Sequence, residues 1–354
     1  MTHFKYVIIG AGLSGLTSAY YLNKLGESNY LVLESRDRIG GRIFTKNGID
    51  LGATWFQNHH EMVVNFLNEL QLESFDQYSK GKSILLYDPN RPVHYFESDP
   101  NAQAAKRIKG NSVSLIRRLS QSSMDKIKLY TIVQEIIDKG DHLKIVTNKE
   151  TFTASKVILT IPPKLVSQLQ FTPDLNISTK KILASTPTWM EHSIKVGITY
   201  EKAFWRNKNF SGTLIGQSGA VTELYDHCDP TTGIISLMGF VSENLREQNV
   251  DQRKKIILDY IANQLGTEVY NYLNYEENDW SKDPNTSNSL LTKFSRTHNY
   301  GHPVMQESIF NDKLIFSGTE TSQLNAGYMD GAIYSGIRSA AHWNKPYFSN
   351  ANSK

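Results

Sequence analysis

The chain opens with apolar runs separated by glycine turns. Residues 6–9 (YVII) form a short apolar run that predicts a buried strand, and the turn GAGLSG follows directly at residues 10–15. Apolar residues then recur at helical spacing over residues 16–25, and a second apolar run at residues 30–33 leads into Glu34. This pattern predicts a strand–turn–helix–strand unit.

The same unit has the residues that a dinucleotide site requires. Gly10 permits a tight turn, Gly12 lets the backbone approach a pyrophosphate, and Gly15 lets the helix pack closely on the sheet. The helix N-terminus then offers its N–H groups to the phosphates. Glu34 ends the second strand, where a carboxylate accepts hydrogen bonds from the adenosine ribose and disfavours the 2′-phosphate of NADP.

The middle of the chain has a different pattern. Apolar β runs at residues 193–200, 212–216 and 233–241 are followed by a helical pattern over residues 251–265. This order predicts an antiparallel sheet with a covering helix. Earlier in the chain, residues 84–96 predict a β-hairpin with a Pro/Asn turn.

Later segments predict that the first domain is discontinuous. The apolar run at residues 156–161 is typical of an inner strand of the opening sheet. A strand at residues 313–316 and a terminal helix that ends near Trp343 would complete that sheet. We therefore predict an α/β fold, in which a discontinuous Rossmann-like domain accompanies an α+β domain built on an antiparallel sheet. The predicted boundaries are 1–77, 107–184 and 283–345 for the first domain, 78–106 and 185–282 for the second, and 346–354 for a tail.

Composition limits the classes of partner. The 354 residues are 39% hydrophobic and 21% charged with a net charge of +3, which suits a globular chain and gives no reason to expect nucleic-acid binding. No apolar run approaches the ~18 residues that a membrane span needs. Cys228 is the single cysteine, which fits a cytoplasmic location, and the first strand begins too early to leave room for a signal peptide.

The adjacent histidines His59 and His60 suggest a metal site at first. Neighbouring residues on a helix point in different directions, and no carboxylate–histidine pattern at i, i+4 accompanies this pair. We therefore expect solvated histidines at the start of a helix, and no metal.

A series of motifs extends from the opening turn almost to the end of the chain. They are GAGLSGL at 10–16, ESRDRIGGR at 34–42, LGATWF at 51–56, VILTIPP at 157–163, SIKVGITYEKAFW at 193–205, and LIFSGTET and GYMDGA after residue 313. In this order they resemble the FAD-dependent amine oxidases, the superfamily of the monoamine and polyamine oxidases. The GGR extension and the two terminal motifs separate this family from the NAD dehydrogenases.

The resemblance implies a bound FAD and assigns residues to it. The glycines of the opening turn would hold the pyrophosphate, residues 52–55 would lie under the isoalloxazine ring, and the backbone of Val133 would meet the adenine. Glu320 would bind the ribityl chain or a phosphate-bridging water, and the N–H of Met329 would face the flavin N1/O2 edge. The residues implied for FAD are Gly10, Gly12, Gly15, Glu34, Arg36, Gly41, Arg42, Gly52, Ala53, Thr54, Trp55, Val133, Gly318, Glu320, Tyr328, Met329 and Ala332.

The resemblance also implies the chemistry. Lys195 matches the lysine that holds a water at flavin N5, Tyr328 matches one tyrosine of a substrate-side aromatic cage, and Trp280 matches a tryptophan near the flavin. The implied activity is an oxidase that moves a hydride from the α-carbon of a small-molecule amine, or of an amino-acid-like substrate, to FAD N5. The imine then hydrolyses, and O₂ is reduced to H₂O₂.

Three departures from the family pattern qualify this expectation. The position of the flavin-linking cysteine falls near Ser289, which predicts non-covalent FAD. The second cage tyrosine is replaced near Leu290. The chain is also shorter than its family around residues 97–110, a polar stretch, so the pocket would be more open or completed by another chain in a homo-oligomer.

Two other functions stay open from the sequence. One is an FAD-dependent desaturase or oxidoreductase of a natural-product or tetrapyrrole-like pathway, and the other is a non-catalytic flavin-binding partner protein. Oxidation of amino acids would need a cation for the substrate carboxylate. Arg91, Arg206 and Arg296 are available, although Arg206 follows a family-like Phe-Trp pair that indicates a structural role.

Overall fold

A computed structural model describes residues 1–88, 92–287 and 299–344. The strands are β1 (Thr2–Ile9), β2 (Tyr30–Leu33), β3 (Thr45–Lys46), β4 (Ile49–Asp50), β5 (Trp55–Phe56), β6 (Ser74–Asp76), β7 (Lys82–Leu86), β8 (His94–Phe96), β9 (Lys106–Ile108), β10 (Ile127–Lys128), β11 (Val133–Asp138), β12 (Leu143–Thr147), β13 (Thr151–Leu159), β14 (Gln170–Thr172), β15 (Ile194–Tyr200), β16 (Phe210–Gly216), β17 (Val221–Asp226), β18 (Ile235–Val241), β19 (Asn274–Asp279), β20 (Ser308–Ile309) and β21 (Leu314–Phe316). The α-helices are α1 (Leu13–Lys24), α2 (Glu61–Glu69), α3 (Val113–Ser120), α4 (Pro163–Val166), α5 (Ile177–Ser185), α6 (Phe204–Asn207), α7 (Val250–Leu265) and α8 (Met329–His342).

The first large sheet contains the opening unit. Its strand order is β10-β2-β1-β13-β12-β11-β14, and β21 also pairs with β13. Strand β1 pairs in parallel with β2 and β13, which places Ile8 between Val32 and Ile158. These central strands are buried, because helices and loops cover both faces of a parallel sheet. The predicted inner strand and the predicted late return of β21 to this sheet are both confirmed.

Close packing of α8 against α1 joins the end of the chain to its beginning. A Cβ on Gly336 would lie 2.6 Å from the carbonyl oxygen of Ser14, so only glycine permits this approach. The Ser14 hydroxyl lies 2.8 Å from the Ser317 hydroxyl and accepts a hydrogen bond from the Gly318 N–H at 3.1 Å. The N-terminus of α1 and the loop after β21 are therefore held together.

The second large sheet has the order β19-β15-β18-β17-β16-β7-β8. Helix α7 covers it through Ile257, Ile261 and Leu265, which share a core with Trp205 and Leu224. The predicted strands pair antiparallel under a covering helix, as expected, whereas β7 joins β16 in parallel. Strands β7 and β8 form the predicted hairpin. The turn of that hairpin lies outside the described residues. The fold class is thus the predicted one, whereas the exact domain boundaries stay a prediction.

Strand β9 is missing from the sequence prediction, which treats residues 97–110 as a polar stretch. It pairs with β5 and β6, opposite Trp55 and Phe75. Its central Arg107 is almost completely buried and donates hydrogen bonds to the carbonyl oxygens of Cys228 and His227. A charged residue in the middle of a short strand removes the apolar pattern from which a buried strand is predicted. The burial of an arginine depends on partners that are distant in sequence, which the local pattern does not show.

Strand β4, which pairs with β3 in a separate two-stranded sheet, packs on β15 of the second large sheet. A Cβ on Gly197 of β15 would lie 2.3 Å from Cγ2 of Ile49, so the glycine makes room for this side chain. Ile49 and Leu51 form a small buried cluster with Met238. The contact fixes the start of the segment 50–54 against the second sheet. Among the described residues, no helix is both long and apolar enough to span a bilayer.

We expect Gly197→Ala to destabilise the protein by about 1–3 kcal/mol, because the added methyl group overlaps Ile49. Ile49→Ala alone should cost about 2–5 kcal/mol through the cavity that it leaves. The double variant should lose clearly less than the sum of the two, because the smaller side chain removes the overlap. Urea unfolding of the four proteins measures this coupling, and additive losses would contradict the steric account.

Candidate active site

One cavity of about 730 Å³ runs between the two large sheets. This volume lies within the range of roughly 300–1,000 Å³ that is usual for cofactor and ligand sites. The structure brings together most of the residues predicted for the site, and those that line the cavity are Gly10, Gly12, Glu34, Arg36, Gly41, Arg42, Gly52, Ala53, Thr54, Trp55, Val133, Lys195, Trp280, Gly318, Tyr328, Met329 and Ala332. Gly15 and Glu320 do not line it.

The end of the cavity at β1 and β2 has the form of a dinucleotide cradle. A Cβ on Gly41 would lie 3.2 Å from Cα of Gly12, so bare backbone from two motifs forms the wall. Gly15 lies beneath this wall and lets α1 pack closely against the turn, because a Cβ on Gly15 would lie 2.0 Å from the carbonyl oxygen of Gly10. With the N-terminus of α1 beside it, this wall fits a pyrophosphate.

Glu34 holds the turn and faces the same end of the cavity. Its carboxylate accepts hydrogen bonds from the N–H of Ala11 at 2.7 Å and from the N–H of Arg36 at 2.9 Å. The guanidinium of Arg36 pairs with Asp283 at 2.8 Å. A buried carboxylate in this position can still accept bonds from ribose hydroxyls, because each of its oxygens has two lone pairs.

Arg42 and Glu320 form a bidentate ion pair beside the cavity. The two guanidinium nitrogens of Arg42 donate to Glu320 at 2.6 and 2.9 Å, and the N–H of Trp189 donates to the same carboxylate at 3.1 Å. Glu320 is completely buried behind Arg42. The pair joins the GGR motif to the loop after β21, and a direct contact of Glu320 with the cofactor stays a prediction.

Lys195 projects from β15 into the segment 50–54. Its Nζ donates to the carbonyl oxygens of Gly52 at 2.7 Å and Asp50 at 3.1 Å, and it lies 2.7 Å from Oγ1 of Thr54. The rings of Trp55 and Phe240 flank the ammonium at 5.2 and 5.1 Å.

Burial lowers the pKa of Lys195 to about 7. The Asp50 charge opposes this shift, and the Arg107 charge adds to it. A neutral Lys195 has one lone pair and needs a donor, and of its three partners only the Thr54 hydroxyl has a hydrogen to give. In the structure this hydroxyl donates to the carbonyl oxygen of Gly52 at 3.1 Å, so it would have to turn toward Lys195 to donate to the neutral amine.

Trp280 holds the same segment from the neighbouring strand. It directly follows β19, which pairs with β15, and its Nε1–H donates to the carbonyl oxygen of Leu51 at 2.8 Å. Its ring meets Phe44 edge to face, with 6.5 Å between the ring centroids. Trp280 thus shapes the cavity wall through the backbone of residues 50–54.

An aromatic group surrounds the start of α8. Tyr328 is 46% exposed, and its ring centroid lies 5.7 Å from that of Trp189 and 5.1 Å from that of His60. Asp330 in the first turn of α8 accepts a hydrogen bond from the N–H of Val63 in α2, which places His60 next to Tyr328. The sequence analysis missed Trp189, which belongs to none of the motifs.

The expectation of a solvated His60 is wrong. His60 is buried, its Nδ1 accepts a hydrogen bond from the N–H of Gln57, and burial lowers its pKa. Its ring contacts Tyr328, which comes from a distant part of the chain. His59 is exposed, as predicted.

The remaining candidate residues fall elsewhere. Arg206 donates to Asp226 at 2.7 and 2.8 Å and does not line the cavity, so it has the structural role that the sequence indicates. Arg91, Arg296, Ser289 and Leu290 lie outside the described residues.

Comparisons with known proteins agree with this geometry. The family described as "Flavin containing amine oxidoreductase" matches residues 13–104 and 93–342. The amine oxidase [flavin-containing] A of Equus caballus is 24% identical over 449 aligned positions, which cover 95% of this chain and 84% of the relative. The amine oxidase [flavin-containing] B of Homo sapiens is 23% identical over 446 positions, which cover 94% of this chain and 85% of the relative.

Solved structures share the fold. A wild-type putrescine oxidase bound to putrescine superposes with a TM-score of 0.83 at 22% identity and covers 97% of this chain and 99% of that one. The cyclohexylamine oxidase of Brevibacterium oxydans gives a TM-score of 0.85 at 19% identity, with 97% and 99% covered. Because the family match extends over most of the chain and the cradle fits a dinucleotide, this chain belongs to the flavin-containing amine oxidoreductase family and is an FAD-dependent oxidoreductase.

Proposed function

We propose that this chain is an oxidase that removes a hydride from the α-carbon of a small-molecule amine. The observation that carries the proposal is Lys195, a buried lysine with a pKa near neutrality, in the same cavity as the dinucleotide cradle. When bound there, FAD would supply the hydride acceptor at N5, and its reoxidation by O₂ would yield H₂O₂. The imine product hydrolyses after release.

The chain's own residues align the amine and exclude water. The amine would enter beside Tyr328, Trp189 and His60, whose rings favour its neutral, apolar-bound form. Lys195 and Thr54, whose polar atoms lie 2.7 Å apart, would hold a water or a proton beside the reacting carbon, because the lowered pKa lets Lys195 gain or lose a proton near pH 7. The N-terminus of α8, at Met329, would stabilise negative charge on the bound cofactor.

We further propose that the flavin is held without a covalent bond. Cys228, the single cysteine of the chain, does not line the cavity, and its thiol points to the carbonyl oxygen of Ser236. Burial raises the pKa of this thiol to about 12, which makes it a poor nucleophile. A reducing, cytoplasmic setting stays part of this proposal.

Lys195→Met should lower the rate of flavin reduction by amines by about 100-fold or more, because it removes the group that moves or holds the proton. Anaerobic stopped-flow reduction of the purified flavoprotein measures this rate, and H₂O₂ release under air measures turnover. Lys202→Met is the matched control, since Lys202 is exposed just after the same strand. A Lys195→Met protein that binds flavin and reduces it at the rate of the control would refute the role of Lys195.

The depressed pKa of Lys195 predicts two pH dependences. Flavin reduction should rise with pH through about 7 as Lys195 loses its proton, and Lys195→Met should lack this inflection.

The lowered pKa also predicts how stability depends on pH. The Lys195 side chain of the unfolded protein keeps its proton up to its ordinary pKa of 10.5, so the unfolded chain holds more protons than the folded chain between pH 7 and 10.5. The free energy of unfolding, relative to Lys195→Met, should therefore rise with pH in this window. A flat difference from urea unfolding across the window would contradict the lowered pKa.

Non-covalent binding predicts that denaturation releases the flavin. After heat or acid treatment and centrifugation, all of the flavin should be in the supernatant, because no protein–flavin bond survives unfolding. Absorbance and mass spectrometry of both fractions measure this. Flavin that remains in the protein pellet at a fixed mass increment would contradict the proposal.

A further inference from the structure

A carboxylate lies in the cavity where binding of the dinucleotide does not require one. Among the described residues, two carboxylates line the cavity, Glu34 and Glu223. Glu34 belongs to the cradle and is held by the N–H groups of Ala11 and Arg36. Glu223 lies on β17, in the other large sheet, and none of the sequence motifs includes it.

Strand pairing places Glu223 in one row with Lys195. In the antiparallel pairing of β15 with β18, Lys195 lies opposite Phe240, and in the pairing of β18 with β17, Phe240 lies opposite Glu223. Residues directly opposite each other point to the same face of a sheet, and all three side chains line the cavity. Neighbouring strands are about 4.8 Å apart, so the row spans about 10 Å between the backbones of its two ends.

The row has a distinct chemical order. At one end Lys195 has a pKa near neutrality, in the middle is the ring of Phe240, and at the other end is the Glu223 carboxylate. The carboxylate accepts one hydrogen bond, from the Tyr225 hydroxyl at 2.9 Å. Within the described part of the chain, no cationic side chain forms an ion pair with it.

Aromatic rings accompany this carboxylate. The ring centroid of Tyr225 lies 5.0 Å from that of Trp55, and that of Trp55 lies 6.4 Å from that of Phe240. A carboxylate in a cavity wall that also contains aromatic rings is suited to an ammonium ion, because charge-assisted hydrogen bonds and cation–π contacts can act on the same group. An anionic group would be repelled at this end of the cavity.

We propose that Glu223 binds a second, protonated nitrogen of the substrate, so that the substrate class is an aliphatic amine with another cationic nitrogen at its far end. This inference rests on the proposed oxidase function, since it requires that the first amino group reacts near Lys195. The separation of about 10 Å between the backbones that carry Lys195 and Glu223 leaves room for several methylene groups between the two nitrogens. The apolar middle of the row, at Phe240, would contact those methylene groups.

The first test compares two substrate series on the wild-type holoenzyme. We expect each α,ω-diaminoalkane of sufficient length to be oxidised with a kcat/KM at least about 10-fold above that of the n-alkylamine with the same number of carbons. The advantage should peak at one chain length, because the two nitrogens must reach both ends of the row. Equal kcat/KM values for the two series at every length would overturn the proposal without affecting the oxidase function.

The second test removes the charge and keeps the shape. Glu223→Gln should lower kcat/KM for the diamines by about 10- to 100-fold, mainly through KM, and change it for the n-alkylamines by less than about 3-fold. Glu201→Gln, at an exposed carboxylate just after β15, should change neither series. An equal loss for both series in Glu223→Gln would show that Glu223 acts through Lys195, and would overturn the proposal.

The remaining outcomes are also decisive. If no amine of either series reduces the bound flavin, the proposed oxidase function fails, and calorimetric titration of the holoprotein with a diamine then tests Glu223 alone. Equal affinity of wild type and Glu223→Gln in that titration would overturn the inference, and weaker binding by the variant would support it. If Glu223→Gln does not fold, Glu223→Asp replaces it. The shorter carboxylate should move the preferred diamine to a greater length, and an unchanged optimum would overturn the proposal.

Discussion

The hydrogen bonds of Lys195 to residues 50–54 are the interaction on which the site depends. One side chain of the second sheet meets three oxygen atoms in the segment that follows the GGR motif of the cofactor cradle. The Trp280 indole holds the same segment from the adjacent strand. Because both groups bind backbone carbonyls, the cavity wall between them can consist of the small residues Gly52 and Ala53. The groups that shape the wall thus also join the second sheet to the segment that follows the GGR motif.

A buried ion pair has the corresponding role on the other side of the cavity. Arg42 and Glu320 come from opposite ends of the chain, and Glu320 also binds the backbone of Trp189. Such a pair adds little net stability by itself, but loss of one partner leaves a buried charge uncompensated at a cost of about 3–5 kcal/mol. This cost keeps the Arg42 and Glu320 side chains in contact with each other. The pair fixes Trp189, and with it the aromatic group at Tyr328, relative to the cradle.

Local patterns in the sequence predict the parts of the molecule that local physics determines. The unit β1–α1–β2 follows from apolar periodicity and from Gly10, Gly12 and Gly15, and its carboxylate Glu34 lies where the motif places it. Lys195 is different, because its sequence context alone would favour an exposed residue on a sheet edge, and only the family resemblance identified it. The sequence analysis missed the burial of Arg107 in β9, the burial of His60 and the position of Trp189. Each depends on a partner more than a hundred residues away in the chain.

The row of Lys195, Phe240 and Glu223 shows why such features are absent from the sequence pattern. Each residue lies on a different strand, and their order across the sheet differs from their order in the chain. A shift of one residue in either pairing would turn a member of the row to the opposite face of the sheet. A β-irregularity between Val221 and Glu223 adjusts the second pairing. The chemistry of this end of the cavity is therefore a property of strand register, and it can differ among chains with the same fold and the same cofactor cradle.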